Sequence, residues 1–382
     1  MSTPVQDLLN IDELRRDFPI TEEWVNLDNA GLSPFPRPVV QAVERLLDQR
    51  ARKGVLAYWD WVDTVQQTKE LIAGLINASP EEIAFTQNTS EGINIVANML
   101  DWKPGDNVVL NDLEFFPNYW PWTRQRKFGV ETRVVRHRGG LITTEDFAQV
   151  VDSRTRVVAL SSIAWINGLK HDLAEIGALA KQHGAYLVID AIQQIGVAEF
   201  DVRRGPVDFV ACGGHKWLFS LLGSGFFYCR RELIEQFEPV YVGWQSDADR
   251  FNYEFRDYRL AADAQRFMHG NNNLAGVHGL HAGISYINRI GLYNIERRNR
   301  YLTDYLIERL RPLGVAFLSP LEDKYRSAIL NFIPRDPTRV QELAAERKII
   351  VCVRAGGIRV SPNFYNTEQE LDSLIEVVRE CQ

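Results

Sequence analysis

The feature that most constrains this chain is a succession of short apolar segments, each separated from the next by a helical period. Glu82–Gln87 reads as a strand and Ser90–Leu100 as a helix. Asn107–Asp112 is the next strand, Asn118–Lys127 a helix, and Val130–His137 a strand. Arg156–Ser162 is a further strand, and Asp172–Gln182 a helix with Leu173, Ile176, Leu179 and Ala180 on one face. Tyr186–Asp190 and Phe209–Cys212 follow as strands apolar enough to be buried on both sides. Strands alternating with helices in this way predict an α/β fold around a mostly parallel sheet.

After about Phe255 the pattern changes. Amphipathic helices over Leu274–Arg289 and Tyr293–Leu310 precede strands at Ala328–Ile333 and Ile349–Arg354, and a last helix covers Glu368–Cys381. A chain of 382 residues has room for two cores. The expected division is an arm over residues 1–22 that packs on the C-terminal unit, a large domain over 23–260, and a smaller α+β domain over 261–382.

A net charge of -7 without runs of like charge gives no footprint for nucleic acid and no basic patch for a membrane surface. The first twenty residues contain no apolar segment of signal-peptide length, and no stretch of eighteen apolar residues predicts a membrane span. Cys212, Cys229, Cys352 and Cys381 are far apart and never in CxxC spacing. They read as free thiols in a reducing, cytoplasmic setting, and no metal site is expected.

Chemistry enters with Gly213-Gly214-His215-Lys216-Trp217, directly after a buried strand. A lysine there is either an ordinary solvated side chain or an amine neutralised by an imine to an aldehyde cofactor. Upstream, Asp190 ends the apolar strand Tyr186–Asp190, at the edge where parallel sheets place functional groups. It can pair with a protonated pyridine nitrogen or cap the next helix. Gln193, three residues on, can donate to a ring hydroxyl. Phe85–Gly92 runs from strand end to helix start, where Thr89 and Ser90 can bind a phosphate, cap the helix, or do both. Arg359 lies in an apolar strand, and either grips a substrate carboxylate or forms a buried ion pair. Tyr58, Trp59, Trp61, Phe115, Tyr119, Trp120 and Trp165 are core packing or the lining of a pocket for a large apolar side chain.

Taken in order, these segments resemble the class V aminotransferase branch of fold-type I pyridoxal-phosphate (PLP) enzymes. That branch includes cysteine desulfurases, C–S lyases, isopenicillin-N-epimerase-like proteins and transaminases. Leu27–Gly31, Phe85–Gly92, Asp190–Gln193, Gly214–Lys216, and Arg266–Asn273 with Arg359–Thr367 stand in the family's order. The resemblance implies a seven-stranded, mostly parallel sheet flanked by helices. It makes Lys216 the Schiff-base lysine and proton shuttle, Asp190 the partner of the pyridine nitrogen, and Gln193 the partner of the ring oxygen. Thr89, Ser90 and His215 would hold the phosphate, with Phe115 over the ring. Asn29, Ala30, Gly31 and Trp165 would lie beside an amino-acid substrate, and Arg359 would take its carboxylate. The loop with Asn271 would reach the neighbouring subunit's phosphate, which implies a homodimer with shared sites.

Departures from the family pattern bear on the reaction. Desulfurases carry a histidine where Phe115 stands, and a phenylalanine cannot move a proton. They also carry a cysteine in a loop, whereas Arg354–Arg359 here joins two strands directly and Cys352 lies within an apolar strand. Gly213 and Asn271 replace serine and threonine that contact phosphate in many relatives. Trp165 and Tyr241–Trp244 match C–S lyases. These features favour a β-eliminating, C–S type lyase, with transamination second and epimerisation third. A non-enzymatic PLP-binding regulator is disfavoured by the intact Lys216, Asp190 and Arg359.

Overall fold

The computed structural model describes residues 9–382. Thirteen strands occur in this span: β1 Val25–Asn26, β2 Ile83–Thr86, β3 Asn107–Asn111, β4 Glu131–Val135, β5 Thr155–Ser161, β6 Tyr186–Asp190, β7 Phe209–Gly213, β8 Gly225–Cys229, β9 Ala316–Phe317, β10 Leu330–Ile333, β11 Ile349–Ile350, β12 Cys352–Arg354 and β13 Gly357–Val360. Seven form one sheet in the order β2-β8-β7-β6-β5-β3-β4. All neighbours are parallel except those of β8, which runs antiparallel to both β2 and β7. Since β8 reverses direction twice, β2 points the same way as β7. The carboxyl ends of β2, β3, β5, β6 and β7 therefore share one edge, where α/β sheets build their sites.

The strand interiors are buried throughout β2, β3, β7 and β8, as the unbroken apolar runs require. The β8 run Gly225–Cys229 follows β7 with no helix between, so it folds back as an antiparallel strand. Two helices not singled out in the sequence, Arg37–Lys53 and Tyr58–Ile76, pack against the helix Leu274–Ile290. The stretch expected as a helix over Asn118–Lys127 is a single α-turn at Trp120–Thr123 followed by 3-10 structure to Phe128, because Pro117 and Pro121 interrupt its amide ladder.

A second sheet, β12-β13-β10-β9, is antiparallel, and β1 pairs in parallel with β11. Two main apolar clusters result. The larger surrounds the seven-stranded sheet; the smaller joins Leu27 to Leu302, Leu306, Phe332, Ile358, Val360 and the last helix, Glu368–Glu380. Val277, Leu280, Ile284 and Ile287 of Leu274–Ile290 belong to the larger cluster, as does Ile295, while Leu302 and Leu306 belong to the smaller. Of the expected N-terminal arm, residues 1–8 lie outside the described span. Phe18 enters the larger core and stacks on Tyr365 at 4.1 Å, while Arg15 pairs with Glu370 of the last helix at 2.8 Å. No helix among the described residues is long and apolar enough to cross a membrane.

Candidate active site

One cavity, of 320 Å³, gathers Ala30, Gly31, Thr89, Ser90, Phe115, Trp165, Asp190, Gln193, His215, Lys216 and Arg359. Its floor is the carboxyl edge of the sheet. Asp190 ends β6 and is paired in register with Ser161 of β5 and Ala211 of β7. Lys216 lies three residues beyond β7, after Gly213 and Gly214. Gly214 is required by crowding: a Cβ there would stand 2.7 Å from Leu280 and 3.0 Å from both Ser220 and Ser224.

The floor carries charges that its own neighbours satisfy poorly. Burial depresses the Lys216 amine to about 8, against a smaller opposing pull from Asp190. Burial raises Asp190 to about 6; its Oδ1 accepts one hydrogen bond, from the Ile192 amide at 3.0 Å. Burial likewise lowers His215 to about 4, so its imidazole is neutral at pH 7, and its Nδ1 is buried without a partner.

The helix Thr89–Met99 begins above this floor. Its cap is Asn88, whose Oδ1 accepts the Glu91 amide at 2.9 Å, and not Thr89 or Ser90 as the sequence suggested. Thr89 Oγ1 instead accepts the Gly213 amide at 3.0 Å, tying the helix start to the end of β7. Gln193 is locked from two sides: its Nε2 donates to Ala30 O at 3.0 Å, and its Oε1 accepts from Trp217 Nε1 at 2.9 Å. One Nε2 hydrogen stays available to a ligand.

The roof comes from the N-terminal segment and the smaller sheet. Arg359 of β13 is 2% exposed; it donates to Asp28 Oδ1 at 2.7 Å and to Trp165 O at 2.9 Å. The ion-pair reading of Arg359 is thus realised while the same side chain lines the cavity. Asp28 was quoted in the motif without a role. Arg354 also lines the cavity and lies over the Trp165 ring at 5.9 Å. Sequence reasoning took it only as a hairpin residue, although two arginines five residues apart on paired strands was the available signal.

One expected residue, Asn29, lies outside the cavity; Asn271, expected to serve the neighbouring subunit's site, is also apart from it. Asn29 is buried beneath the roof, not in the cavity: its Nδ2 donates to Ser361 O at 2.9 Å, and its Oδ1 accepts from Tyr365 Oη at 2.8 Å. A carboxamide with both ends engaged in this way orders the loop and is unavailable to a substrate. Asn271 lines a separate surface pocket with Thr86, Gln87 and Gly223, away from Lys216 of the same chain.

Glu114 is the other residue that sequence reasoning left without a role. Its carboxylate accepts from Asn111 Nδ2 at 2.6 Å, Asn118 Nδ2 at 2.9 Å, Ser161 N at 2.8 Å and Ser161 Oγ at 2.6 Å. Burial nevertheless raises it to about 7. It fixes the segment that carries Phe115.

The donor set fits a PLP group. A buried amine with lowered proton affinity suits attachment of an aldehyde. A buried, under-satisfied carboxylate suits a pyridinium. A helix start, the Ser90 hydroxyl and the unpartnered His215 Nδ1 suit a phosphate.

Comparison with known proteins agrees with this geometry. Residues 25–374 match the family described as Aminotransferase class-V. A "Probable cysteine desulfurase" of Methanothermobacter thermautotrophicus is 34% identical, covering 97% of this chain and 98% of that one. Another of that name, from Pyrococcus abyssi, is 32% identical over 97% of each. The apo structure of the cysteine desulfurase from Thermococcus onnurineus NA1 superposes with a TM-score of 0.87 at 29% identity, covering 100% of this chain and 98% of that one. The cystine C-S lyase C-DES, solved with its product cysteine persulfide, shares the fold with a TM-score of 0.88 at 22% identity, over 95% and 99% of the two chains. On sequence match, fold and cofactor-shaped site together, the chain belongs to the PLP-dependent class V aminotransferase family.

Proposed function

We propose that the protein is a PLP-dependent lyase that breaks a C–S bond at the β-carbon of an amino acid, with Lys216 holding the cofactor. The observation that carries the reading is the meeting of Lys216 and Asp190 at the ends of adjacent strands, each shifted by burial toward its neutral form. When bound, the cofactor supplies the electron sink that takes up the charge left at the α-carbon. Lys216 Nζ, whose proton affinity burial lowers, would be the group that accepts the α-proton. Asp190 would face the pyridine nitrogen, and Gln193 would offer its remaining hydrogen to the ring oxygen. Thr89, Ser90 and His215 would hold the phosphate. Phe115 would lie over the ring face and has no proton to move, which leaves proton transfer to Lys216.

The desulfurase names of the relatives suggest sulfur transfer through a cysteine. Cys352 suits that role poorly: it is 7% exposed in β12, burial raises its thiol, and its sulfur faces Arg359 O at 3.9 Å. β12 and β13 are joined by the two-residue turn Ala355–Gly356, whose positive φ angles of 49° and 74° make it a tight hairpin. This supports release of the sulfur product over its capture on the enzyme. Transamination and epimerisation would use the same residues, and no separate observation favours them. A homodimer, in which Asn271 approaches the partner's cofactor, and a cytoplasmic location complete the reading; the four free cysteines support the latter.

The test is absorbance of the purified holoenzyme during addition of amino acids, with thiol, pyruvate and ammonia assayed together. A lysine-linked cofactor band that returns after turnover, with all three products in equal amounts, supports the lyase. Conversion to the aminated cofactor without ammonia would replace it with a transaminase.

A further inference from the structure

Four aromatic rings run unbroken from the cavity to the surface. Trp165 lines the cavity and lies 5.0 Å from Phe115. Phe115 lies 5.7 Å from Phe116, which stacks on Trp120 at 4.5 Å with an interplanar angle of 12°. Exposure rises outward along the strip: 40% at Phe115, 50% at Phe116 and 60% at Trp120. Core packing does not account for it. Phe115, Phe116 and Trp120 belong to no apolar cluster among the described residues, whereas Trp122, two positions on, is fully buried.

Nor is the strip a loose loop. Glu114 anchors its base through four accepted hydrogen bonds, Asn118 among the donors, and Trp122 Nε1 donates to Asn118 Oδ1 at 3.1 Å. Pro117 and Pro121 stiffen the backbone between. Rings held rigidly in water, in contact with a pocket, mark a surface that binds apolar matter. The cavity of 320 Å³ lies at the small end of ligand sites, about 300–1,000 Å³. With a cofactor in it, the strip offers a long substrate side chain an apolar way out.

We propose that the substrates are S-substituted cysteines whose large aromatic or aliphatic sulfur substituent lies along Trp165, Phe115, Phe116 and Trp120. This rests on the lyase reading and specifies its substrate class. The reaction is balanced by water alone: the Cβ–S bond breaks, sulfur leaves as the thiol RSH, and the three-carbon remainder takes up water to give pyruvate and ammonium. Arg354 and Arg359, which line the same cavity, would take the carboxylate end.

The test uses the holoenzyme and two amino acids without a β-leaving group, L-alanine and L-homophenylalanine, titrated against the absorbance of the bound cofactor. The expected Kd for homophenylalanine is at least tenfold below that for alanine, and Phe116→Ala and Trp120→Ala each reduce that ratio at least threefold. Equal Kd values overturn the proposal, as does a ratio that neither variant moves. Variants that change the sedimentation coefficient while leaving the ratio intact would assign the strip to a second copy of the chain and also overturn it. A separate arm reads pyruvate from S-phenyl-L-cysteine. Tenfold preference without pyruvate keeps the side-chain strip and sinks C–S cleavage. No spectral response to either amino acid sinks the amino-acid reading itself, and this proposal with it.

Discussion

The floor and the roof of the cavity are built on opposite principles. On the floor, burial shifts Lys216, Asp190 and His215 toward neutrality, and their own neighbours leave much of their bonding capacity unused. On the roof, Arg359 pairs with Asp28 at 2.7 Å and Asn29 donates to Ser361 O at 2.9 Å, so both side chains are held by protein partners, although Arg359 Nε keeps none. An under-satisfied buried group is costly, and persists where a ligand completes it. A self-satisfied one is scaffold. The contrast separates the floor residues, which act on a ligand, from Asn29, which holds the shape around it, while Arg359 is fixed by Asp28 and still lines the cavity.

The largest effect expected is on the floor. Lys216→Ala should lower turnover at least ~10³-fold and abolish the lysine-linked cofactor band while leaving the urea midpoint of the cofactor-free protein no lower. Retained turnover would break the assignment. On the roof, Asp28→Ala leaves the Arg359 guanidinium buried without its counter-charge, and should cost about 3 kcal/mol in urea unfolding. A cost under ~1 kcal/mol would mean that the roof is not self-holding.

The third prediction concerns pH. Asp190 titrates at about 6 when folded, above its ordinary 3.8, so the folded chain binds more protons between those values. Its contribution is fully present below about pH 4 and is lost as pH rises through 6. The cofactor-free wild type should lose about 2 kcal/mol over that window relative to Asp190→Asn. Glu114, raised to about 7 chiefly by burial and in the smallest part by Asp190, adds a fall of its own that the two proteins share in its larger part, so the difference between them reports mainly on Asp190. The smallest effect is expected at Gly31, where a Cβ would stand 2.6 Å from Asp28 Oδ2. That carboxylate can rotate, so Gly31→Ala should cost about 1 kcal/mol and weaken the pair to Arg359 without breaking it.

The floor was far more legible in the sequence than the roof. Asp190 and Lys216 each follow an apolar strand of the alternating pattern, and the strand's end tells where the side chain emerges. Thr89 and Ser90 were legible for the same reason, though the neighbouring Asn88 turned out to be the cap. The roof depends on pairs that no local pattern reveals. Asp28 and Arg359 meet through β1–β11 and an isolated bridge between Asp28 and Ser361, and Asn29 looked like a substrate contact because its true partners, Ser361 and Tyr365, are equally remote. The helices Arg37–Lys53 and Tyr58–Ile76 precede the first strand of the large sheet, so no alternation with strands marks them in the sequence. β8 was missed because an antiparallel return needs no crossover helix to announce it.

The Asp28–Arg359 pair spans 331 residues. Closing a loop of that length is slow, and local structure forms long before it. A chain emerging from the ribosome presents Asp28 well before Arg359. The seven-stranded sheet, complete by Cys229, can therefore assemble while the roof is still unmade. The cavity is covered only once Arg359 has met Asp28, so the roof is the later of the two halves to be made.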